Sequence, residues 1–155
     1  GDIRNWDTMI DTNLKGLLYV TRAILPGMIE REQGHIINIG SVAGHEYYPR
    51  GNIYSATKHA VKAISKSLRL DLLGTRIRVS EIDPGAVNTE FSEVRWNDKA
   101  HAEAFYAGFT PLIANDIADA VVYCATRDPH VNVAEMLIYP TDQASANHLA
   151  RQDKE

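Results

Sequence analysis

Two short runs rich in β-branched residues, "HIINIG" (35–40) and "RIRVSEIDPG" (76–85), alternate with long stretches of helical periodicity. No other feature restricts the fold as much. Apolar runs of this length, bounded by glycine or Pro-Gly, read as buried strands. Ahead of the first, Trp6, Met9, Ile10, Leu14, Leu17, Leu18, Ile24 and Leu25 recur at helical spacing, with Asp7 near the start. Pro26-Gly27 is expected to kink or loosen that helix, which ends before Gly34. Between the runs, residues 52–74 place Ile53, Ala60, Val61, Ile64, Leu68 and Leu72 on one helical stripe, with Gly74 as a stop. A looser polar and aromatic segment (86–110) follows, then a helix (115–128) and a last strand, "EMLIYP" (135–140). The polar tail from Thr141 is expected to fray.

The order is therefore α-β-α-β-(short α)-α-β. Strands alternating with helices imply a parallel sheet with right-handed crossovers. The expected fold is α/β: the C-terminal half of a doubly wound, Rossmann-like parallel sheet, three strands with flanking helices. A partial Rossmann-like domain occupies 1–140 and a polar tail 141–155. The pattern opens on a helix, without the glycine-rich strand-to-helix turn that a dinucleotide-binding α/β unit carries in its first βα turn.

Composition narrows the partners. The 155 residues suit one domain, and the net charge of −4 comes with scattered Lys and Arg. Both argue against nucleic acid or an anionic membrane as partner. No apolar stretch approaches the ~20 residues needed to cross a bilayer. The single cysteine, Cys124, excludes an intrachain disulfide and a cysteine-based metal site, which suits a reducing cytoplasm. Cys124 lies in an apolar helical pattern and is expected in the core. The histidines show no metal-ligand spacing, so no metal is expected.

The chemistry concentrates in "GSVAGHEYYPRGNIYSATKHA" (40–60). Tyr54 precedes Lys58 by four residues, which puts both on one helix face, one turn apart. A phenol titrates near pH ~10 and is a poor acid/base at neutrality. An ammonium beside it favours the phenolate and lowers that pKa. Alone the spacing is common; its surroundings make it informative. Ser41 ends one strand and Pro84-Gly85 the next, and ligands of open α/β sheets bind outside the carboxyl ends of the strands. Asn13 sits inside the first helix, where asparagine is a poor helix former unless its side chain is needed.

Together, Asn13, "INIGSVAG" with Ser41, Tyr54-Ser-Ala-Thr-Lys58 and "DPGAVNTEF" (83–91) resemble the short-chain dehydrogenase/reductase family over nearly the whole chain. They match the C-terminal three-fifths or so of a typical member. The longer phrases most resemble its NADP-dependent 3-hydroxy acid (serine) dehydrogenase branch. The resemblance implies hydride transfer between NADP(H), with NAD also possible, and a small hydroxy acid or carbonyl substrate. By the same resemblance Tyr54 is the general acid/base, and Lys58 lowers its pKa and hydrogen-bonds the nicotinamide ribose. Ser41 binds the substrate oxygen, and Asn13 holds a water that relays protons from Lys58. Pro84, Gly85, Ala86, Val87 and Thr89 meet the cofactor, the backbone near Val87 at its carboxamide and Thr89 at its pyrophosphate. Gly40 stands where many members have a second serine. The resemblance also implies a homo-oligomer through helices 5–31 and 52–73.

Tyr47 and Tyr48 lack the company of Tyr54 and are expected to be packing or pocket wall. Arg95 follows the Pro-Gly loop in a segment expected to fold over the substrate. A guanidinium suits bidentate carboxylate binding, so Arg95, and less so Arg50, is a candidate for a hydroxy-acid carboxylate. Two other readings stay open: a non-catalytic fragment or binding partner without the dinucleotide site, and a family member acting on another alcohol such as a steroid, a sugar or an acyl-carrier-protein ester. Strand 35–40 should present an unpaired apolar edge, which would leave the isolated chain marginal or self-associating.

Overall fold

The computed structural model describes residues 1–152. Helix α1 (Ile3–Ile10) runs through a π-helical turn (Asp11–Gly16) into α2 (Leu17–Glu30). Strand β1 (Gly34–Ile39) leads into a 3₁₀ turn (Val42–Gly44) and then α3 (Asn52–Asp71). Strand β2 (Ile77–Pro84) is followed by the short β3 (Val87–Asn88), α4 (Phe91–Trp96), α5 (Lys99–Tyr106) and β4 (Leu112–Ile113). Helix α6 (Ala114–Ala125) and β5 (Glu135–Ile138) complete the regular structure. The sheet has the order β1-β2-β5, all parallel, with Ile39 opposite Ile82 and Pro84 opposite Ile138. The expected α/β architecture of three parallel strands with flanking helices is what the chain forms.

Alternation along β2 builds a core on each face, because successive side chains of a strand point to opposite sides. Ile77 and Val79 pack with Ile36, Leu72, Leu25, Met28 and Leu68 on one face. Ile82 packs with Ala120, Cys124 and Ile117 on the other. Fully burying one such aliphatic side chain contributes about 1.5–3 kcal/mol. Gly74, at φ +87°, turns the chain after α3, a conformation open to glycine without strain.

Three expectations need correction. The helix continues through Pro26-Gly27 to Glu30, and its hydrogen-bond irregularity lies at Asp11–Gly16 instead. A proline near the end of a long helix removes one hydrogen bond, whereas the π turn widens the backbone around Asn13. The segment 86–110 is more ordered than expected, holding two helices and a strand that pairs with β4. The tail is docked rather than frayed over 141–152. Gln143 is buried, Asp142 Oδ2 accepts from Thr110 N–H at 2.9 Å, and Gln152 N–H donates to Gly108 O at 2.7 Å. Its polar side chains saturate loop backbone groups, something no hydropathy pattern displays. Residues 153–155 of the expected tail lie outside the described residues. No helix among the described residues is long and apolar enough to cross a membrane.

Candidate active site

The first two turns of α3 carry Tyr54 and Lys58 across the carboxyl end of β1. Lys58 Nζ donates to Ile39 O at 2.9 Å, so the side chain is anchored on the strand end. Ser41 lies just beyond β1, in extended backbone. Its Oγ accepts from Ala43 N–H at 3.1 Å and starts the 3₁₀ turn, and its own N–H donates to Asp83 Oδ1 at 3.0 Å. The Ser41 side chain stands near the Tyr54 hydroxyl. Asn13 Nδ2 donates to Thr57 Oγ1 at 3.2 Å, and Thr57 Oγ1 donates to Tyr54 O at 2.8 Å. The π-helical turn thus places Asn13 against the stretch between Tyr54 and Lys58. Asn13, Ser41, Tyr54 and Lys58, read from three separate motifs, converge here.

The electrostatics differ from expectation in one respect. Burial pushes the Tyr54 hydroxyl above the ordinary phenol value, and the neighbouring Ser41 side chain opposes that rise. Lys58 Nζ lies 5.8 Å from the Tyr54 ring centre and is committed to Ile39 O, so the expected lowering of Tyr54 by Lys58 is absent from this arrangement. Burial also pulls the Lys58 ammonium below its ordinary value, opposed by Asp83 and Glu81 beneath it. A phenol raised by desolvation and an ammonium lowered by it are both brought nearer to their neutral forms.

The Pro-Gly loop leaves β2 at the same sheet edge. Gly85 N–H donates to Ile138 O at 2.7 Å, and Ala86 N–H donates to Gln143 Oε1 at 2.8 Å. Pro84, Gly85 and Ala86 are therefore held between β5 and the docked tail. Val87 O accepts from Tyr106 O–H at 2.6 Å, so a cofactor carboxamide at Val87 would share or displace that bond. Thr89 is exposed; its Oγ1 accepts from Phe91 N–H at 3.3 Å, and it lines a cleft of about 530 Å³ with Glu90, Lys99 and Tyr106.

Arg95 folds back over the site. Its guanidinium carbon is 5.6 Å from the Tyr54 ring centre, 5.3 Å from that of Tyr48 and 5.5 Å from that of Trp96. The Tyr48 hydroxyl is buried without a hydrogen-bond partner, and burial raises its pKa against the pull of Arg95. Tyr48 thus packs under the Arg95 guanidinium with an unpaired polar end. Tyr47 is 74% exposed and stacks on His59 at 4.9 Å, a surface packing role. Arg50 is exposed, at φ +65° in the turn before α3.

The sequence reading missed Gln143, Tyr106, His45 and the buried acids Glu81 and Asp83. A signal existed for the acids alone: positions 77, 79, 81 and 83 share one strand face, and the first two are core. His45, Asp83 and Glu135 form a tight group that would attract a cation. Lys62 Nζ supplies it, 2.8 Å from Glu135 Oε1 and 2.6 Å from His45 Nδ1.

Comparison with known proteins agrees with this arrangement. The short chain dehydrogenase family matches residues 2–100. The NADP-dependent 3-hydroxy acid dehydrogenase YdfG of Salmonella typhi is 51% identical over 146 residues, 93% of this chain and 59% of its own length. A solved structure of serine dehydrogenase, in a closed form complexed with NADP+, superposes with a TM-score of 0.93 at 48% identity, covering 95% of this chain and 60% of that one. The serine dehydrogenase of Escherichia coli superposes with a TM-score of 0.78 at 43% identity, covering 93% and 57%. The chain thus spans about three-fifths of the length of these relatives. A family match over well more than half of the chain establishes that the chain belongs to the short-chain dehydrogenase family.

Proposed function

We propose that this chain is the catalytic portion of an oxidoreductase that interconverts a small hydroxy compound, a 3-hydroxy acid, with its carbonyl counterpart using NADP(H). The observation that carries the reading is the meeting of Ser41, Tyr54 and Lys58 at the carboxyl ends of β1 and β2, beside the Pro84–Thr89 loop. Likeness to an NADP-dependent 3-hydroxy acid dehydrogenase and to a serine dehydrogenase holding NADP+ supports it.

The donors present fit a dinucleotide's nicotinamide end: a half-buried lysine, a tyrosine hydroxyl and a loop with backbone groups at a sheet edge. When bound, the nicotinamide supplies the hydride acceptor for alcohol oxidation. Lys58, Tyr54 and the Pro84, Gly85, Ala86, Val87 and Thr89 loop would hold it. Tyr54 takes the hydroxyl proton of the substrate and returns it during carbonyl reduction. Ser41 donates to the substrate oxygen as negative charge develops there, while its amide is fixed by Asp83. Lys58 would hydrogen-bond the nicotinamide ribose, and an ammonium near a phenol favours its ionised form. Asn13, hydrogen-bonded to Thr57, would hold a water leading from Lys58 to solvent.

Arg95 supports the hydroxy-acid reading. A guanidinium against Tyr48 and over Tyr54 places a positive charge where a 3-hydroxy acid would direct its carboxylate. The exposed Tyr19, Val20, Ile24, Leu70 and Leu73 on α2 and at the end of α3 support association of two copies through these helices. The acidic charge and the single buried cysteine suit a cytoplasmic enzyme.

The test is turnover of NADP+ with serine, 3-hydroxybutyrate and a steroid panel, by the protein carrying this chain together with a glycine-rich dinucleotide half. Hydroxy acids should be preferred, and Tyr54→Phe should lower kcat by about 10²–10⁴-fold while NADPH still binds by fluorescence titration. Full activity of Tyr54→Phe, or preference for the steroids, overturns the reading.

A further inference from the structure

Beneath α3, the sheet face that is apolar at Ile77 and Val79 turns acidic at Glu81 and Asp83, and both acids are completely buried. A side chain at Gly40 would collide with Asp83 Oδ1 and come within 2.6 Å of Glu81 Oε1, so the two carboxyl groups converge on the space that the glycine leaves. Asp83 is better provided for: Oδ1 accepts the Ser41 amide, whereas Oδ2 has no hydrogen-bond donor and stands 3.0 Å from His45 Nε2. Neither oxygen of Glu81 has a hydrogen-bond donor. Two adjacent buried carboxylates cannot both remain ionised at low cost, and the one without donors takes the proton.

We propose that Glu81 is a positioning residue that holds a proton up to about neutral pH and hydrogen-bonds through it to Asp83, keeping Asp83 fixed as the acceptor for the Ser41 amide and presenting one negative charge rather than two to Lys58. The positioning part rests on the activity proposed above. The groups facing the pair are consistent with this assignment. From α3 come Lys58, whose ammonium donates to Ile39 O and is favoured by the negative charge of the pair, and Lys62, which is taken up by Glu135 and His45. Lys66 lies 3.7 Å from Glu135 Oε2, and Arg69 is spent on Val79 O and Ala134 O. From β5 comes Glu135, another negative charge, and from beyond the 3₁₀ turn His45. No cation is left for Glu81 among the described residues. Burial first, and Asp83 second, raise its pKa to about 7.

The test has two arms. Infrared spectroscopy of the protein at about pH 6 should show the carbonyl stretch of a buried protonated acid that fades as the pH is raised past about 8. The band should be missing in Glu81→Gln and present in Glu135→Gln. In the second arm, the pH profile of kcat should lose one ionisation in Glu81→Gln while KM for the hydroxy acid stays within about two-fold, and Glu81→Asp should restore it. A wild type with no such band, a band that survives in Glu81→Gln, or an unchanged pH profile in that variant each overturns the proposal. The infrared arm needs no turnover, so failure of the proposed activity would appear separately, as an intact band without NADP-linked reaction.

Discussion

The backbone N–H of Ser41 donates to the side chain of Asp83 at 3.0 Å, joining the end of β1 to the end of β2. Gly40 N–H donates to Ile82 O at 2.8 Å just before it, so the parallel register runs on past the last strand pair, Ile39 with Ile82. The position of a candidate catalytic hydroxyl is therefore a consequence of sheet register. Anything that shifts this register by a fraction of an ångström moves Ser41 relative to Tyr54.

Gly40→Ala should be costly for that reason. The glycine has no left-handed backbone to explain it; its Cβ would strike Asp83 Oδ1 and crowd Glu81 Oε1 in a region with no solvent to retreat into. Overpacking of this kind costs about 1–3 kcal/mol. Chemical denaturation should show a loss of that size, accompanied by a fall in kcat. Wild-type stability and activity would mean that the acids have room to move.

Glu81 should make stability depend on pH. Its carboxyl titrates at about 7 in the folded chain and near the ordinary value of 4.5 when unfolded. The folded state then binds the proton more tightly, so this contribution is complete below about pH 4.5 and is lost as the pH rises through about 7. Glu81→Gln should flatten that decline and raise stability at pH 8 relative to wild type by on the order of 3 kcal/mol. Urea unfolding at several pH values checks it; parallel pH curves for the two proteins would refute the assignment.

Arg95→Ala should raise KM for 3-hydroxy acids by about 10–100-fold, since a hydrogen bond to a charged group is worth about 1.5–3 kcal/mol. Uncharged alcohols should be much less affected. The comparison is steady-state kinetics on a hydroxy acid and its methyl ester. Equal losses on both would assign Arg95 to closing the cleft over Tyr48 and Tyr54 rather than to carboxylate binding.

The outer edge of β1 should make the 155-residue chain self-associate on its own. Among the described residues β1 pairs on one side only, and Ile39 at its end is 46% exposed. An unpaired strand of this character templates pairing with another chain. Sedimentation should show concentration-dependent association that Ile39→Lys reduces. A monomer at all concentrations would count against this.

Periodicity and punctuation were enough to read the α/β order, the parallel sheet and the strand ends that carry Ser41 and Pro84. These are local consequences of residue type: β-branched runs between glycines, a 3.6-residue stripe, a lysine one turn after a tyrosine. Four dispersed motifs meeting at one sheet edge also made the family legible. What depended on folding was everything that depended on which groups share a buried space. Lys58 ends on Ile39 O rather than beside the Tyr54 hydroxyl, the tail docks through Gln143 and Asp142, and the helix irregularity falls at Asn13 rather than Pro26. The Gly40 departure acquires its meaning only when β1 and β2 pair and bring Glu81 and Asp83 against it. Local propensity places a residue on a face; desolvation and the supply of hydrogen-bond donors there, set by chain segments remote in sequence, decide its charge.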